Sequence, residues 1–328
     1  MFGKRMAPII RHGLTLVCIG VSFAVCLLVG GIIQSRGEQA FITVTNDSLS
    51  ALENRMNSYE QSLAGLYGFI DASNEVTARD WSHIVAALKV EQSLPGLKGL
   101  SYIVMADASE AARIQTEQRL QGVPDFTIHP ETGRDQKLIV TFTAPAEYNA
   151  NIAGLDIGFE VNRRIVAMES RASGLMRATP PIELLDGDQT VPGFLILRPY
   201  FQRDMPVSTL AERQKAFRGW ICASIDVKRM IDELTAGQGE LFNIKVSDQD
   251  SAADKHVFYD RPPPASVGTD GTYFRRSYLS VYGRTWVVEW RSTPAFDLNQ
   301  NPYAKWLFLI AGLIISLLIY LYMRSTYE

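Results

Sequence analysis

Two long apolar runs, one near each end of the chain, constrain this sequence more than any other feature. Residues 14–33 contain no charge and follow three basic residues, and residues 306–323 contain no charge and precede an arginine. At 1.5 Å per helical residue, each run is about long enough to cross a hydrocarbon core of roughly 30 Å. The two runs therefore predict transmembrane helices at residues 13–34 and 305–323.

The residues that flank the two runs orient the chain in the membrane. Basic residues before the first run place residues 1–12 in the cytoplasm, and the second helix returns residues 324–328 to the same side. Tyrosine and tryptophan flank the second run at both ends, as in the aromatic belts of membrane helices. We therefore expect about 270 residues outside the cytoplasm, which in a bacterial inner membrane means the periplasm.

A cleaved signal peptide is the alternative for the first run, since both kinds of segment begin with basic residues followed by an apolar stretch. The run is long for a signal peptide, and residues 30–34 do not form a small-residue cleavage site. These two observations favour an uncleaved membrane anchor.

The composition argues against several function classes. The net charge of −3 comes without long runs of either sign, which is unlike a nucleic-acid-binding protein. Three cysteines, two of them in the first apolar run, do not form a disulfide framework. The sequence has no HExxH, GxSxG, CxxC or P-loop pattern, and its four histidines are far apart. We therefore predict no enzyme in this region, no cofactor and no metal site.

Residues 39–70 have the pattern of a long helix that leaves the membrane. Apolar residues recur at steps of three and four, and no proline interrupts them. The pattern predicts a stalk helix over residues 35–75. Its apolar stripe has two interpretations, a helix packed along its own domain or the seam of a dimer.

The sequence between the stalk and the second apolar run predicts two small α+β lobes. Residues 76–215 form the predicted membrane-distal lobe, and residues 216–294 form the predicted membrane-proximal lobe. Thr77 and Asp80 have the spacing of a capping box at a helix start. The predicted strands are 100–106, 126–129, 138–143, 182–185, 193–201, 217–225, 241–246, 256–259, 273–281 and 284–290, and the predicted helices between them are 109–120, 161–172 and 227–234, with a loop or short helix at 202–215.

A series of short motifs along these lobes supports a family resemblance. They lie in order between the two apolar runs, across residues 48–294. They are LPGLKGLSY at 94–102, FTI at 126–128, NIAGLD at 151–156 with RR at 163–164, ASG at 172–174, GFL at 193–195 before PY at 199–200, and GRTW at 283–286. In this series the chain resembles the CHASE domain, the extracytoplasmic sensing module of membrane receptors.

The resemblance implies a fold and a class of function. It implies an α+β fold in which two transmembrane helices flank a long stalk helix that carries two tandem PAS-like lobes, with the ligand in the membrane-distal lobe. CHASE modules usually serve histidine kinases of two-component systems, diguanylate cyclases or adenylate cyclases. In plant receptors of the family the ligand is a cytokinin, an adenine-type heterocycle, and an aspartate binds it. Asp156 is similar in position to that aspartate, and Ser173 stands where those receptors have a threonine.

The candidate ligand-binding residues follow from the resemblance and from side-chain chemistry. An ionised Asp156 accepts hydrogen bonds, from a heterocycle N–H if it binds ligand or from backbone amides if its role is structural. Arg163 and Arg164 open a helix where the dipole disfavours cations, which indicates an anionic partner or an internal ion pair with Glu160 or Glu183, and we favour the ion pair. The other candidates, each with core packing as the alternative, are Tyr102, Phe194 and Tyr200 for stacking, and Leu175, Met176 and Thr179 for lining the cavity.

Two function hypotheses are consistent with the sequence. The favoured one is a transmembrane sensor that binds an extracytoplasmic small molecule and acts as a homodimer, with Gly312 and Ser316 packing against a partner helix. The alternative is an accessory subunit of a membrane complex whose CHASE-like domain docks a protein. Only five residues follow Met323, so the sensor hypothesis expects either an output domain beyond this sequence or another subunit that receives the signal.

Overall fold

The structure is a computed structural model in which one helix carries two antiparallel sheets. It describes residues 3–89, 93–146, 151–186, 189–237, 241–251, 257–261 and 271–327. Its helices are α1 (Gly3–Ala72), α2 (Ala78–Ala87), α3 (Ala108–Leu120), α4 (Val161–Ser173), α5 (Leu210–Ala216), α6 (Val227–Leu234), α7 (Pro294–Asn299) and α8 (Ala304–Tyr327), with a 3₁₀ turn at Ile157–Phe159. Its strands are β1 (Leu97–Asp107), β2 (Gln136–Ala144), β3 (Arg177–Ala178), β4 (Ile182–Asp186), β5 (Gln189–Phe201), β6 (Phe217–Asp226), β7 (Phe242–Asp248), β8 (Val257–Asp260), β9 (Phe274–Val281) and β10 (Arg284–Ser292).

Helix α1 contains both the first apolar run and the stalk in one continuous element. In the apolar run large side chains such as Leu16 and Leu27 are exposed, because only lipid would cover them there. Beyond it, one stripe becomes buried at steps of three and four residues, namely Leu52, Met56, Tyr59, Leu63 and Leu66. This stripe packs against the two lobes of the same chain, as the first of its two interpretations predicts.

Both apolar helices, α1 and α8, are long and apolar enough to cross a membrane, and they fit a two-pass membrane protein. They pack against each other at Gly312, where a Cβ atom would collide with the side chain of Ser22. Ser316 is buried and its hydroxyl donates to the carbonyl of Gly312 (2.8 Å). Gly312, one of the two small residues for which the sequence predicts contact with a partner helix, therefore contacts α1 of its own chain.

The first sheet lies beside the end of the stalk that is farther from the membrane. Its strand order is β2-β1-β6-β5-β3, with β4 paired to β5, and all its pairings between strands are antiparallel. The sequence predicts β6 in the membrane-proximal lobe, but the structure inserts it between β1 and β5, where the buried run from Gly219 to Ala223 is covered on both faces. The predicted boundary between residues 215 and 216 stays a prediction, and it would separate β6 from the two strands with which it pairs.

The second sheet is nearer the membrane and has the order β8-β7-β10-β9. The predicted closing hairpin is confirmed, since β9 and β10 pair through the turn Tyr282–Gly283. His256, the first residue of the predicted strand 256–259, lies outside the described residues, and β8 begins at Val257.

Specific hydrogen bonds attach both sheets to the stalk. Arg275 of β9 donates to the carbonyl of Ile42 (2.9 Å), to the Thr45 hydroxyl (2.7 Å) and to the Asn46 side chain (2.7 Å). Farther from the membrane, the hydroxyl of Tyr59 donates to the carbonyl of Pro95 (2.5 Å), just before β1 of the first sheet. These bonds join the stalk to each lobe separately.

The local helix signals in the sequence are largely confirmed. Thr77 and Asp80 form the capping box of α2, and Asp226 caps α6. The segment 202–215 contains the short helix α5, which begins after a capping box of its own. The predicted strand 126–129 is wrong, because only His129 forms a β-bridge there, to Leu155.

Candidate functional site

A cavity lies on the face of the first sheet that is turned away from the stalk. Side chains alternate between the two faces of a strand, so that Ile103, Leu195 and Cys222 point to this face while Tyr102 and Phe194 point to the opposite face. The enclosed space is small, about 50 Å³, and it opens to solvent through a mouth that brings the total empty space to about 490 Å³. The described residues that line it are Lys98, Ser101, Ile103, Val140, Ile152, Leu155, Ile157, Arg163, Leu184, Leu185, Leu195, Cys222 and Ser224.

The loop 151–157 forms the roof of this cavity. The backbone amide of Gly154 donates to the carbonyl of Val140 (2.8 Å), and the amide of Val140 donates to the carbonyl of Leu155 (3.0 Å). Gly154 has a φ of 83°, and a Cβ atom there would collide with the carbonyl oxygen of Thr127, so glycine is required. The loop thereby runs along β2 and holds its apolar side chains over the sheet.

Asp156 is the buried anchor of the same loop. Its Oδ1 accepts hydrogen bonds from the backbone amides of Leu138 (2.8 Å) and Gly158 (3.0 Å), and its Oδ2 accepts one from the Thr132 hydroxyl (3.2 Å). Its side chain is fully buried. Asp156 does not line the cavity, although its neighbours Leu155 and Ile157 do. These contacts are those of the structural alternative, a loop aspartate that binds backbone amides.

Arg163 is the buried cation in the wall of the cavity. It is 7% exposed, and its Nη2 donates to the backbone carbonyl of Glu183 (2.6 Å). Its Nε is buried and has no hydrogen-bond partner among the described residues. Burial lowers the pKa of Arg163, and the nearby Glu160 carboxylate opposes that shift only in part.

The ion pair favoured for Arg163 from the sequence is not formed within the part of the chain that the structure describes. The Glu160 carboxylate instead accepts hydrogen bonds from the backbone amides of Asn162 (3.0 Å) and Arg163 (2.8 Å), as the N-cap of α4. Glu183 offers only its backbone carbonyl. A buried guanidinium without a carboxylate partner is costly, so this position calls for an explanation other than stability.

The remaining walls of the cavity are mostly aliphatic, with a few polar groups among them. Ser101 donates to the Thr143 hydroxyl (3.0 Å), and Ser224 donates to the carbonyl of Gly99 (3.3 Å). Burial raises the pKa of the Cys222 thiol to about 12, against a smaller opposing effect of Arg163, so the thiol stays neutral. Lys98 is a second cation in the lining, and the described lining residues include no aspartate or glutamate.

The other predicted site residues lie elsewhere, on the stalk side of the sheet. Tyr102 and Tyr200 have ring centroids 6.4 Å apart and line a groove at the top of the stalk together with Phe142 and Arg218. Burial raises the pKa of Tyr102 and of Tyr200.

The last four predicted residues are dispersed. Leu175 and Met176 line a separate groove against the stalk, where Leu175 is 57% exposed. Thr179 is buried, and its Oγ1 accepts a hydrogen bond from the amide of Leu195 (3.0 Å). Phe194 is fully buried between the two sheets, with its ring centroid 5.0 Å from that of Trp286. The structure therefore does not bring the seven predicted residues to one cavity.

The CHASE domain family model matches residues 74–259, which is more than half of the chain. This chain belongs to the CHASE domain family. The matched region contains the whole first sheet, the roof loop and Arg163, so the cavity described above lies in the CHASE domain. No curated protein matches the sequence significantly.

Solved structures similar to this CHASE chain are sensory domains of chemoreceptors. The periplasmic sensory domain of the Campylobacter jejuni chemoreceptor Tlp1 has a TM-score of 0.52 and 12% identity, over 81% of this chain and 98% of that one. The ligand-binding domain of the Pseudomonas aeruginosa amino acid chemoreceptor PctC in complex with GABA has a TM-score of 0.41 and 13% identity, over 79% and 98%. At this identity the similarity to Tlp1 shows the fold alone.

Proposed function

We propose that this chain is a two-pass membrane sensor that binds a small molecule in the cavity beneath the roof loop. The observation that carries the proposal is the cavity itself, whose aliphatic walls surround a few convergent polar groups. That composition is typical of small-molecule sites. A ligand there would contact the sheet on one side and the roof loop on the other, so binding would alter how the loop is held against β2.

The stalk supplies a route from this cavity to the membrane. Helix α1 is continuous from the first apolar run to the first sheet, and Tyr59 joins it to the segment that enters β1. Arg275 joins the same helix to the second sheet, which leads through α7 into α8. A ligand that binds two arrangements of the first sheet with different affinity would therefore bias both membrane helices. The output we propose is a histidine kinase of a two-component system or a nucleotide cyclase.

The lobes and the assembly are part of the proposal. We propose that both sheets belong to PAS-like lobes and that the boundary between them follows Asp226, since β6 is a central strand of the first sheet. A homodimer would have to pair through a face of α1 other than the buried stripe, because the chain's own lobes cover that stripe.

A planar heterocycle such as an adenine derivative is a second candidate ligand, at a different site. Its stacking partners would be Tyr102 and Tyr200 in the groove at the top of the stalk, which lies on the other face of the sheet from the cavity. The substitution Tyr200→Ala would weaken binding in that groove and leave binding in the cavity unchanged.

A binding screen on the full chain in lipid nanodiscs tests the proposed function. The library contains small carboxylic acids, amides, amino acids and heterocycles, and the readout is thermal unfolding followed by tryptophan fluorescence. A compound present at 100 times its Kd should stabilise the protein by about 2.7 kcal/mol.

Two matched variants locate the binding site. Ser224→Phe fills the cavity, whereas Ser280→Phe makes the same change at an exposed position of β9. The proposal expects a compound that stabilises the parent and Ser280→Phe but not Ser224→Phe. A compound that stabilises Ser224→Phe as much as the parent would place the site elsewhere, and a library without any binder would favour a docked protein instead.

A further inference from the structure

We infer that the ligand of the cavity carries a carboxylate, which the buried guanidinium of Arg163 binds, and that the rest of the ligand is apolar and uncharged. This inference rests on the proposed function and specifies the chemical class of its ligand. It follows from the combination of a buried cation that has no carboxylate partner among the described residues with aliphatic walls.

The first step concerns the charge of Arg163. The side chain is more than nine-tenths buried, it remains charged because arginine does not lose its proton in proteins, and its Nε has no partner among the described residues. The one hydrogen bond that the guanidinium donates to a described residue, from Nη2, goes to a neutral carbonyl, and this does not offset its removal from water. The missing partner must accept hydrogen bonds, and an anion would also neutralise the buried charge.

The second step concerns the geometry of that partner. A carboxylate offers two oxygens that match two parallel N–H groups of a guanidinium, and this bidentate pairing is the strongest that arginine makes. The carboxylate of Glu160, which acts electrostatically on Arg163, is held by the backbone amides at the start of α4. A carboxylate on a ligand in the cavity can form the ion pair with Arg163 that Glu160 does not form.

The third step concerns the body of the ligand. Ile103, Val140, Leu184 and Leu195 form the walls, and the roof loop adds three more aliphatic side chains. An aliphatic or aromatic ligand body would bury apolar surface against these walls, which favours binding. An ammonium group would find no carboxylate among the described lining residues, and it would face Lys98 and Arg163 in the same space. The chemistry therefore favours a simple carboxylic acid over an amino acid.

The experiment measures binding to the full chain in nanodiscs by isothermal titration calorimetry, with empty nanodiscs as the blank. The probes are 4-methylpentanoate and phenylacetate, each beside its primary amide, and L-leucine, which adds an ammonium group to the first acid. The acids should bind about 10- to 100-fold more tightly than their amides, because a hydrogen bond to a charged group is lost in each amide. L-Leucine should bind more weakly than 4-methylpentanoate.

Three variants assign the effect to Arg163. Arg163→Gln should lower the affinity for the acids about 10- to 100-fold and leave the weak affinity for the amides unchanged. Arg163→Lys should retain part of the preference for acids, since it keeps the charge but loses the bidentate geometry. Arg113→Gln removes the same charge from an exposed position of α3 and should change nothing.

The outcomes separate this inference from the proposed function. Equal affinity for acid and amide, no binding of either acid, or full affinity in a folded Arg163→Gln protein would each overturn the carboxylate inference. If in those cases a neutral compound still binds and Ser224→Phe abolishes that binding, the cavity remains the sensor site and only the ligand class is wrong. Should Arg163→Gln fail to fold, the acid and amide comparison on the parent protein and on Arg163→Lys decides.

Discussion

The guanidinium of Arg163 donates to the backbone carbonyl of Glu183 (2.6 Å), not to the Glu183 carboxylate. The difference matters because a carboxylate partner would neutralise the buried charge and a carbonyl does not. In the second sheet an arginine does pair with a carboxylate, since the Nε of Arg284 donates to the buried carboxylate of Asp248 (2.8 Å). Among the described residues, the partly buried Arg284 thus has an internal counter-charge and the buried Arg163 does not, so the two should respond differently to substitution.

Replacing Arg163 by methionine should not destabilise the ligand-free protein. Methionine keeps much of the side-chain volume and removes the cost of burying an unpaired charge, so the free energy of unfolding should stay equal or rise by about 1 kcal/mol. Arg284→Met, the matched control, leaves the Asp248 carboxylate buried and unpaired and should lower it by about 3–5 kcal/mol. Urea unfolding followed by tryptophan fluorescence measures both. A loss at Arg163 as large as that at Arg284 would mean that Arg163 has an internal anionic partner after all.

Asp156 should be needed for the fold even without ligand. Removing its carboxylate by Asp156→Ala leaves the buried amides of Leu138 and Gly158 without an acceptor, which should cost about 2–5 kcal/mol. Asp125→Ala, an exposed aspartate in the same lobe, should change the free energy of unfolding by less than about 0.5 kcal/mol. Chemical denaturation of the ligand-free chain gives both values. If Asp156→Ala were as stable as the parent yet lost ligand binding, the aspartate would contact ligand, as the family resemblance implies.

The sequence predicts the elements of this fold better than their arrangement. Hydrophobic period and capping residues define α1, α2 and α6 well, because both signals are local. The position of β6 is not local information. It pairs with β1, more than 100 residues earlier in the chain, and with β5. The sequence of β6 itself does not predict which strands it pairs with.

The candidate site was harder to predict for a related reason. Tyr102 and Phe194 have the chemistry of ligand-stacking residues, but their neighbours Ser101, Ile103 and Leu195 reach the cavity, since adjacent residues of a strand point to opposite faces. Which face is covered by the stalk and which by the roof loop follows only from tertiary structure. The pair Arg163–Arg164 was the one local signal of the cavity, because cations are unfavourable at a helix start.

The stabilisation that Tyr59 contributes through its contact with Pro95 should fall at alkaline pH. Burial is the main cause that raises the pKa of Tyr59, and the neutral hydroxyl donates to the Pro95 carbonyl. A raised pKa in the folded state means that the stabilisation is complete below the unfolded value of about 10 and is lost as pH rises above it. Tyr59→Phe should therefore cost about 1 kcal/mol at pH 7, and the difference from the parent should shrink above about pH 10. Unfolding of both proteins in urea at pH 7 and pH 10.5 measures this, and a difference that stays constant would show that Tyr59 does not ionise on unfolding.

The close approach of Gly312 to Ser22 should be needed for the two membrane helices to stay paired. A leucine at 312 would have to occupy the space that Ser22 fills, so Gly312→Leu should push α8 away from α1, whereas Gly20→Leu faces open space on α1 and should not. Spin labels on cysteines introduced at the exposed positions Leu27 and Leu307, in a background without the native cysteines, report the separation by double electron–electron resonance. We expect a longer and broader distance distribution for Gly312→Leu alone. If Gly20→Leu broadened the distribution equally, the helices would be paired through a different face, and the route proposed from the cavity to the membrane would have to be redrawn through that face.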